Sequence, residues 1–338
     1  MSNGFWRSKN VLVTGGTGFI GSWLTETLVQ AGAKVTALIE QNSPFRIDAI
    51  KHLASEIELV YGDIRDKGLV ASVIKGKDVI FHLASITQVL YAIKNPEKTV
   101  AVNVGGTLNI LEGMRENGGE QFLVYASTDK VYGEPKYVPI DEEHPLIGKS
   151  PYDASKIAAD TLVYAYHMSY GMRCSIVRWS NTYGGRDANI LRAVPDFVTS
   201  VLNENPPVMR GNGKHIRDYM YVTDAIDGII RVAENSELSN GEAFNLGTET
   251  PTSVEDLAKL IIRISGSESK LRPIVLGKST PGEISIQYLL SIKAREVLGW
   301  KPTIELERGL EPTIRWYEEN MWWKSVMDRV AKSYGEAL

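Results

Sequence analysis

Residues 10–31 admit few folds. Val11, Leu12 and Val13 form a short apolar run, Gly15, Gly16 and Gly18 crowd the next few positions, and from Phe19 to Ala31 the pattern turns helical, with Ile20, Trp23, Leu24 and Leu28 on one face. A buried strand, a tight turn and a helix folded back over the strand make the opening unit of a parallel α/β sheet. Gly15, Gly16, Gly18 and Gly21 leave the backbone free to turn sharply, approach a phosphate and pack the helix on the sheet. The N-terminus of that helix presents N–H groups and a partial positive charge. Gly15, Gly18, Phe19, Ile20 and Gly21 are therefore candidates to hold a dinucleotide pyrophosphate.

A second strand, Lys34 to Glu40, ends in an acid about 20 residues after the glycine run. Glu40 in that place accepts hydrogen bonds from the ribose hydroxyls and repels a 2′-phosphate, so NAD is expected over NADP. Arg46 lies close behind, as a cation that could turn toward a phosphate.

Strand-like and helix-like segments then alternate. Strands are expected at Ile57–Tyr61, Asp78–Leu83, Gln121–Ala126 and Arg173–Trp179, and helices at Lys67–Ile74, Pro96–Asn117 and Tyr152–Tyr170, with Asn95 as the N-cap of the long helix. The fold class expected is α/β: a doubly wound parallel sheet (Rossmann) with a smaller C-terminal substrate lobe. The first domain spans 1–180. The second spans 181–338, with interleaving of the two left open; there the alternation gives way to loops, helices near Val222–Asn235 and Val254–Ile264, and a short strand, Ala243–Leu246. Packing or a subunit interface is the expected use of the aromatic stretch from Trp316 to Trp323.

Tyr152 and Lys156 stand at i and i+4 of a helical segment, so their side chains share a face. An ammonium beside a phenol favours the phenolate and draws its pKa of about 10 toward neutrality. Such a tyrosine takes a proton from a hydroxyl while hydride leaves the same carbon. Thr128, at the end of the preceding strand, is placed to hydrogen-bond the same hydroxyl. The alternative is a surface Tyr–Lys pair, and the dinucleotide motif upstream argues against it.

Composition excludes several classes. The single cysteine, Cys174, leaves no internal disulfide, and five scattered histidines form no ligand cluster, so no metal is expected. A net charge of −4 argues against nucleic acid as partner. No apolar run approaches the roughly 20 residues of a membrane span and no signal pattern opens the chain, so a cytoplasmic protein is expected.

The chain resembles the extended short-chain dehydrogenase/reductases, the NAD-dependent nucleotide-sugar epimerase and dehydratase family. The resemblance rests on Thr14 to Gly21, Gly62-Asp63-Ile64, His82-Leu83-Ala84, Asn103 with Gly106-Thr107, Ser127 to Gly133, Pro151 to Lys156, Asn181 with Tyr183-Gly184, and Arg217-Asp218-Tyr219 with Val222 and Asp224-Ala225. It implies that Asp63 and Ile64 contact adenine and that Leu83, Ala84 and Ser85 pass beneath the cofactor. Asn103, Tyr152 and Lys156 join the cofactor set; Ser85, Thr128, Asn181 and Arg217 join the substrate set. Arg192 is read either as a diphosphate contact or as a surface side chain. The resemblance also suggests a homodimer through the helices at 96–117 and 152–170.

Residues 127–133, Ser-Thr-Asp-Lys-Val-Tyr-Gly, bear on the reaction. A 4-epimerase needs only to remove hydride, rotate the keto-sugar and return it. A 4,6-dehydratase also needs a base for the C5 proton and an acid for the C6 hydroxyl; in the family the aspartate matching Asp129 is the acid, and Lys130 stands where the base is usually glutamate. Thr-Asp-Lys and the opening Phe5-Trp6 resemble the CDP-glucose 4,6-dehydratase branch, whereas residues 211–219 resemble the wider UDP- and dTDP-sugar pattern. Lys130 is read as a base of depressed pKa, as a stabiliser of the enolate, or as a surface lysine. The alternatives to a dehydratase are a UDP-sugar 4-epimerase and a non-catalytic nucleotide-sensing protein.

Overall fold

Val11, Leu12 and Val13 are fully buried, as a strand covered on both faces requires. In the computed structural model, which describes residues 4–41, 43, 47–277 and 284–335, they form the middle of β1 (Asn10–Thr14). Along the chain follow α1 (Phe19–Gln30), β2 (Lys34–Ile39), β3 (Glu58–Tyr61), α2 (Lys67–Ile74), β4 (Val79–His82), α3 (Val89–Lys94), α4 (Pro96–Val100), α5 (Gly106–Glu116), β5 (Phe122–Ala126), α6 (Pro151–Tyr170) and β6 (Cys174–Trp179). Beyond these lie β7 (Asn181–Tyr183), α7 (Ala193–Leu202), β8 (Val208–Met209), β9 (Ile216–Tyr221), α8 (Val222–Glu234), α9 (Ser236–Ser239), β10 (Ala243–Leu246), β11 (Pro251–Ser253), α10 (Val254–Ile264), β12 (Ile274–Val275), α11 (Ile292–Leu298), α12 (Leu306–Glu319) and α13 (Lys324–Gly335).

The large sheet has the order β10-β6-β5-β4-β1-β2-β3, and every pairing in it is parallel. Alternate residues of β1 face opposite layers. Val11 and Val13 pack with Leu24 and Leu28 of α1 and Ile226 and Ile229 of α8, while Leu12 packs with Val70 of α2, Ile110 of α5 and Val163 of α6. This is a doubly wound sheet. Strand order reverses between β1 and β4, so the crevice for a ligand opens at the carboxyl ends of those strands.

The segment after residue 181 contributes to the sheet and to the layer that holds α1. β10 pairs with β6 as the seventh strand, and α8 covers the sheet beside α1. Ala294 and Leu298 of α11 and Trp300 join the same core, while much of the remainder builds a second core in which Phe197, Met209, Tyr219, Leu257, Leu310, Tyr317 and Trp323 meet, beside a small sheet ordered β11-β9-β7. Trp316 and Trp323 of the aromatic stretch pack edge to face at 5.3 Å within this lobe.

The helix expected over 96–117 is not uniform. α4 passes into a π-helical turn at Ala101–Gly105 before α5 resumes. Asn103 sits in that turn and Asn95, though it precedes α4, donates its amide back to the Tyr91 carbonyl rather than capping the helix. A Cβ at Gly106 would fall 2.6 Å from Ile64, so the helix approaches β3's exit closely only because glycine stands there. Trp6 is buried at 5.9 Å from Phe81 and donates to Glu234 at 2.8 Å, so the Phe5-Trp6 pair serves packing.

Candidate active site

A cavity of about 760 Å³ opens at the strand ends and is lined by both halves of the chain. Its floor is the β1–α1 turn. Gly15 has φ 73°, and a Cβ on it would lie 3.0 Å from the Ala84 nitrogen; a Cβ on Gly21 would overlap the Gly15 carbonyl oxygen. No side chain caps the N-terminus of α1, where Gly18, Phe19, Ile20 and Gly21 line the cavity. A bare backbone cradle with free helix N–H groups fits a pyrophosphate.

The wall opposite is fixed by a relay of hydrogen bonds. Thr107 donates to the Asn103 carbonyl at 2.6 Å, so it accepts from His82 Nε2 at 3.1 Å, which leaves Nδ1 to accept from the Thr14 hydroxyl at 2.8 Å. The Thr14 oxygen in turn accepts the amides of Leu83 and Ala84, both at 3.1 Å. Burial, helped by the Lys156 charge, pushes the His82 pKa down to about 3, so the ring stays neutral and structural. Asn103 was expected at the cofactor but does not line the cavity. It is buried, and its amide holds Ile86 from both sides, accepting from N at 2.7 Å and donating to O at 3.0 Å, with Ser155 Oγ at 2.9 Å.

Glu40, exposed at the end of β2, and Asp63, Ile64, Leu83, Ala84 and Ser85 all line the cavity. The Asp63 carboxylate accepts from the Arg65 amide at 2.8 Å and pairs with its guanidinium at 2.5 Å, and this bond holds its pKa below the ordinary value. Arg46 lies outside the described residues.

The candidate reacting groups come from the end of β5 and the start of α6. A capping box sets the helix: Ser150 Oγ accepts the Asp153 amide at 3.1 Å, Asp153 accepts the Ser150 amide at 3.0 Å, and Pro151 occupies the first turn. Tyr152 and Lys156 then point into the cavity with Thr128, Asp129 and Lys130. Lys156 donates to the Ala126 carbonyl at 2.5 Å and lies 4.4 Å from the centre of the Tyr125 ring. Burial pushes its pKa down to about 7, against the pull of Asp160. Burial also raises the Tyr152 phenol above its ordinary value; a hydrogen bond with Thr128 and the charge of Arg192 draw it back, while Asp129 and Asp153 oppose them. The shift toward neutrality expected from Lys156 is therefore not what the fold gives: the phenol lies above its ordinary value, and the cation that draws it back is Arg192, which the Tyr–Lys spacing did not suggest.

Thr128 caps a short 3-10 turn, accepting the Lys130 amide at 3.3 Å and donating to Asp129 at 3.1 Å. Lys130 Nζ lies 3.2 Å from both Asp129 oxygens. Its side chain is 22% exposed, so it is not a surface lysine. Across the cavity stand Asn181, Arg192 and Arg217, joined by Arg210 and His215, which sequence reasoning had not singled out. Arg192 also pairs with buried Asp187 at 3.0 Å; Arg217 donates to the Ile216 carbonyl at 2.8 Å, and Asn181 reaches the Asp218 carbonyl at 3.5 Å. Gln287 is the other addition: it meets Lys130 and Asp129 from far along the chain, and no local pattern announces it.

Residues 12–313 match the family model described as GDP-mannose 4,6 dehydratase. A putative UDP-glucose 4-epimerase of Methanocaldococcus jannaschii is 34% identical over 316 residues, covering 92% of this chain and 99% of that protein. A dTDP-glucose 4,6-dehydratase of Mycolicibacterium smegmatis is 30% identical over 334 residues, covering 96% and 98%. The crystal structure of the dTDP-glucose 4,6-dehydratase of Streptomyces venezuelae with NAD superposes with a TM-score of 0.85 at 30% identity, over 94% of this chain and 99% of that one. The chain belongs to the extended short-chain dehydrogenase/reductase family of nucleotide-sugar epimerases and dehydratases. It is an NAD-dependent enzyme of that kind. No helix among the described residues is long and apolar enough to cross a membrane.

Proposed function

We propose that this chain is a nucleotide-sugar 4,6-dehydratase, converting an NDP-hexose of the CDP-glucose type to the NDP-4-keto-6-deoxyhexose. The observation that carries the reading is the Asp129–Lys130 pair, joined at 3.2 Å and lining the same cavity as Thr128, Tyr152 and Lys156. Thr128 orients the C4 hydroxyl and Tyr152 takes its proton. NAD supplies the hydride acceptor for C4 and the donor for C6. The 129–130 pair carries the proton transfers at C5 and C6, which an epimerase has no use for. Arg192, Arg217 and Asn181 hold the diphosphate, and the cradle of Gly15, Gly18 and Gly21 with Glu40 holds the cofactor.

The resemblance to the M. jannaschii protein favours a second reading, a UDP-sugar 4-epimerase. The non-catalytic nucleotide-sensing alternative falls with the enzymatic character of the family, and Thr128, Tyr152 and Lys156 all line the cavity. The exposed Val100 and Leu108 of the 96–116 segment, with Tyr164, Met168 and Tyr170 of α6, support a homodimer through these helices.

The test is incubation with CDP-, dTDP-, UDP- and GDP-hexoses in deuterated water. A product lighter by one water with deuterium at C5 supports the dehydratase. An isomer of unchanged composition as the only product on every sugar accepted replaces it with the epimerase. Tyr152→Phe should slow C4 oxidation by about 10²–10⁴; full oxidation in that variant would move the base elsewhere.

A further inference from the structure

Gln287 is fully buried on the segment that runs beside β9, where its backbone amide donates to the Ile216 carbonyl at 3.0 Å. Both ends of its side chain are committed to residues 129 and 130. Nε2 donates to the Asp129 carbonyl at 2.8 Å, and Oε1 accepts from Lys130 Nζ. Lys130 Nζ also reaches both carboxylate oxygens of Asp129. Three oxygen acceptors therefore face one nitrogen, which offers three N–H donors as an ammonium and two as an amine. Loss of the proton would leave two N–H groups for the three oxygens and turn a lone pair toward one of them; of the three, Asp129 Oδ1 has a second donor in the Thr128 hydroxyl at 3.1 Å.

We propose that Gln287 is a positioning residue that holds Lys130 as an ammonium against Asp129, so that Lys130 protonates the departing C6 hydroxyl and the Asp129 carboxylate takes the C5 proton. The role rests on the dehydratase reading and reverses the division that the family resemblance implies, with Asp129 as acid. The C5–H electron pair becomes the C5–C6 double bond, the C6–O bond breaks, and oxygen leaves as water carrying the Lys130 proton. Hydride taken from C4 is returned to C6, Asp129 exchanges its proton with solvent and returns one to C5, and the proton released from the C4 hydroxyl restores Lys130 through solvent. The charged groups facing Lys130 are Asp129, Arg217 of β9 and Asp153 of α6; burial, with Arg217, lowers its pKa, and the two carboxylates oppose that.

The test compares the NAD-loaded parent with Gln287→Leu and Gln287→Glu. Lysine Cε is labelled with ¹³C, and the Lys130 signal is assigned by its loss in Lys130→Arg. Gln287→Leu should lower the Lys130 titration midpoint by about one pH unit, and Gln287→Glu, which keeps an oxygen acceptor and adds charge, should raise it. An unmoved midpoint in both overturns the positioning role. Water loss from the 4-keto-hexose should decline with pH along the alkaline limb set by that midpoint, and the limb should move with it in both variants. A rate that rises as Lys130 loses its proton overturns the acid role. If the parent releases no water from any nucleotide sugar, the dehydratase reading and the acid role fall together, while the midpoint still decides whether Gln287 positions Lys130. Should the leucine variant not fold, the upward shift in Gln287→Glu decides alone.

Discussion

Asp160 of α6 and Arg178 of β6 meet at 2.8 Å in the interior, 3% and 8% exposed, beneath the segment that carries Thr128, Asp129 and Lys130. The pair grips that segment at both ends: Ser127 donates to Asp160 at 2.7 Å, and Arg178 donates to the Tyr132 hydroxyl at 3.1 Å. Tyr132 passes the connection on to Asn245 of β10 at 2.8 Å. Removing one partner of a buried pair strands the other charge, so Arg178→Met should cost about 3–5 kcal/mol in urea unfolding. A loss below about 1 kcal/mol would show that the pair does not anchor the segment.

Lys156 predicts a pH dependence of stability. Its pKa in the fold, about 7, lies below the roughly 10.4 of an unfolded chain. Between those values the unfolded state binds more protons, so stability contributed at this site rises with pH across the window. Below about pH 7 the ammonium is buried at full cost. Lys156→Met should therefore be more stable than the parent at pH 6, by roughly 2–4 kcal/mol, and the difference should shrink as pH climbs toward 10. The measurement is urea unfolding of both proteins, free of cofactor, at pH 6, 8 and 10; a difference that stays constant with pH would exclude the linkage.

Much of this was legible in local sequence because local geometry fixes it. The β1–α1 turn needs glycine where a Cβ would strike Ala84 or the Gly15 carbonyl, and Tyr152 and Lys156 need only helical spacing to share a face. Legibility fails where the partner is distant. Gln287 meets Lys130 across 157 positions, beyond any local window, and Arg178 meets Asp160 across 18 positions and two elements whose relative placement no periodicity gives. The π-helical turn around Asn103 was missed for a related reason: periodicity reads α4 and α5 as one helix, and the break serves a bond to Ile86 in another loop. Asn103, expected at the cofactor by resemblance, lies outside the cavity lining and holds the Ile86 backbone, and motif resemblance does not distinguish a group that touches a ligand from one that holds a neighbouring loop.

Glu40 predicts cofactor choice. It is exposed at the end of β2 and lines the cavity, where a 2′-phosphate would meet its charge. The parent should bind NAD at least about tenfold more tightly than NADP, and Glu40→Ser should narrow that ratio by weakening NAD and admitting NADP. Calorimetric titration of both proteins with both cofactors measures it. Equal or tighter NADP binding by the parent would remove Glu40 from the discrimination.

Asn103 predicts a coupling between fold stability and cofactor affinity. Its amide satisfies both backbone groups of Ile86, and the same loop presents Ala84 to Gly15 across the pyrophosphate cradle, where a glycine Cβ would already be in contact at 3.0 Å. Asn103→Ala leaves Ile86 N–H and C=O without their partner in a half-buried loop and should cost about 2–4 kcal/mol. Asn103→Asp replaces the donor with an acceptor opposite the Ile86 carbonyl and should cost at least as much. If the loop is set by this amide, NAD affinity should fall about tenfold or more in both variants at temperatures where they remain folded, because the wall must be reordered on binding. Urea unfolding and NAD titration on the same preparations separate the two effects. Lost stability with unchanged NAD affinity would mean that Asn103 braces the π-helical turn against α6 through Ser155, and that the wall of the cofactor site is held by the Thr14–His82–Thr107 relay.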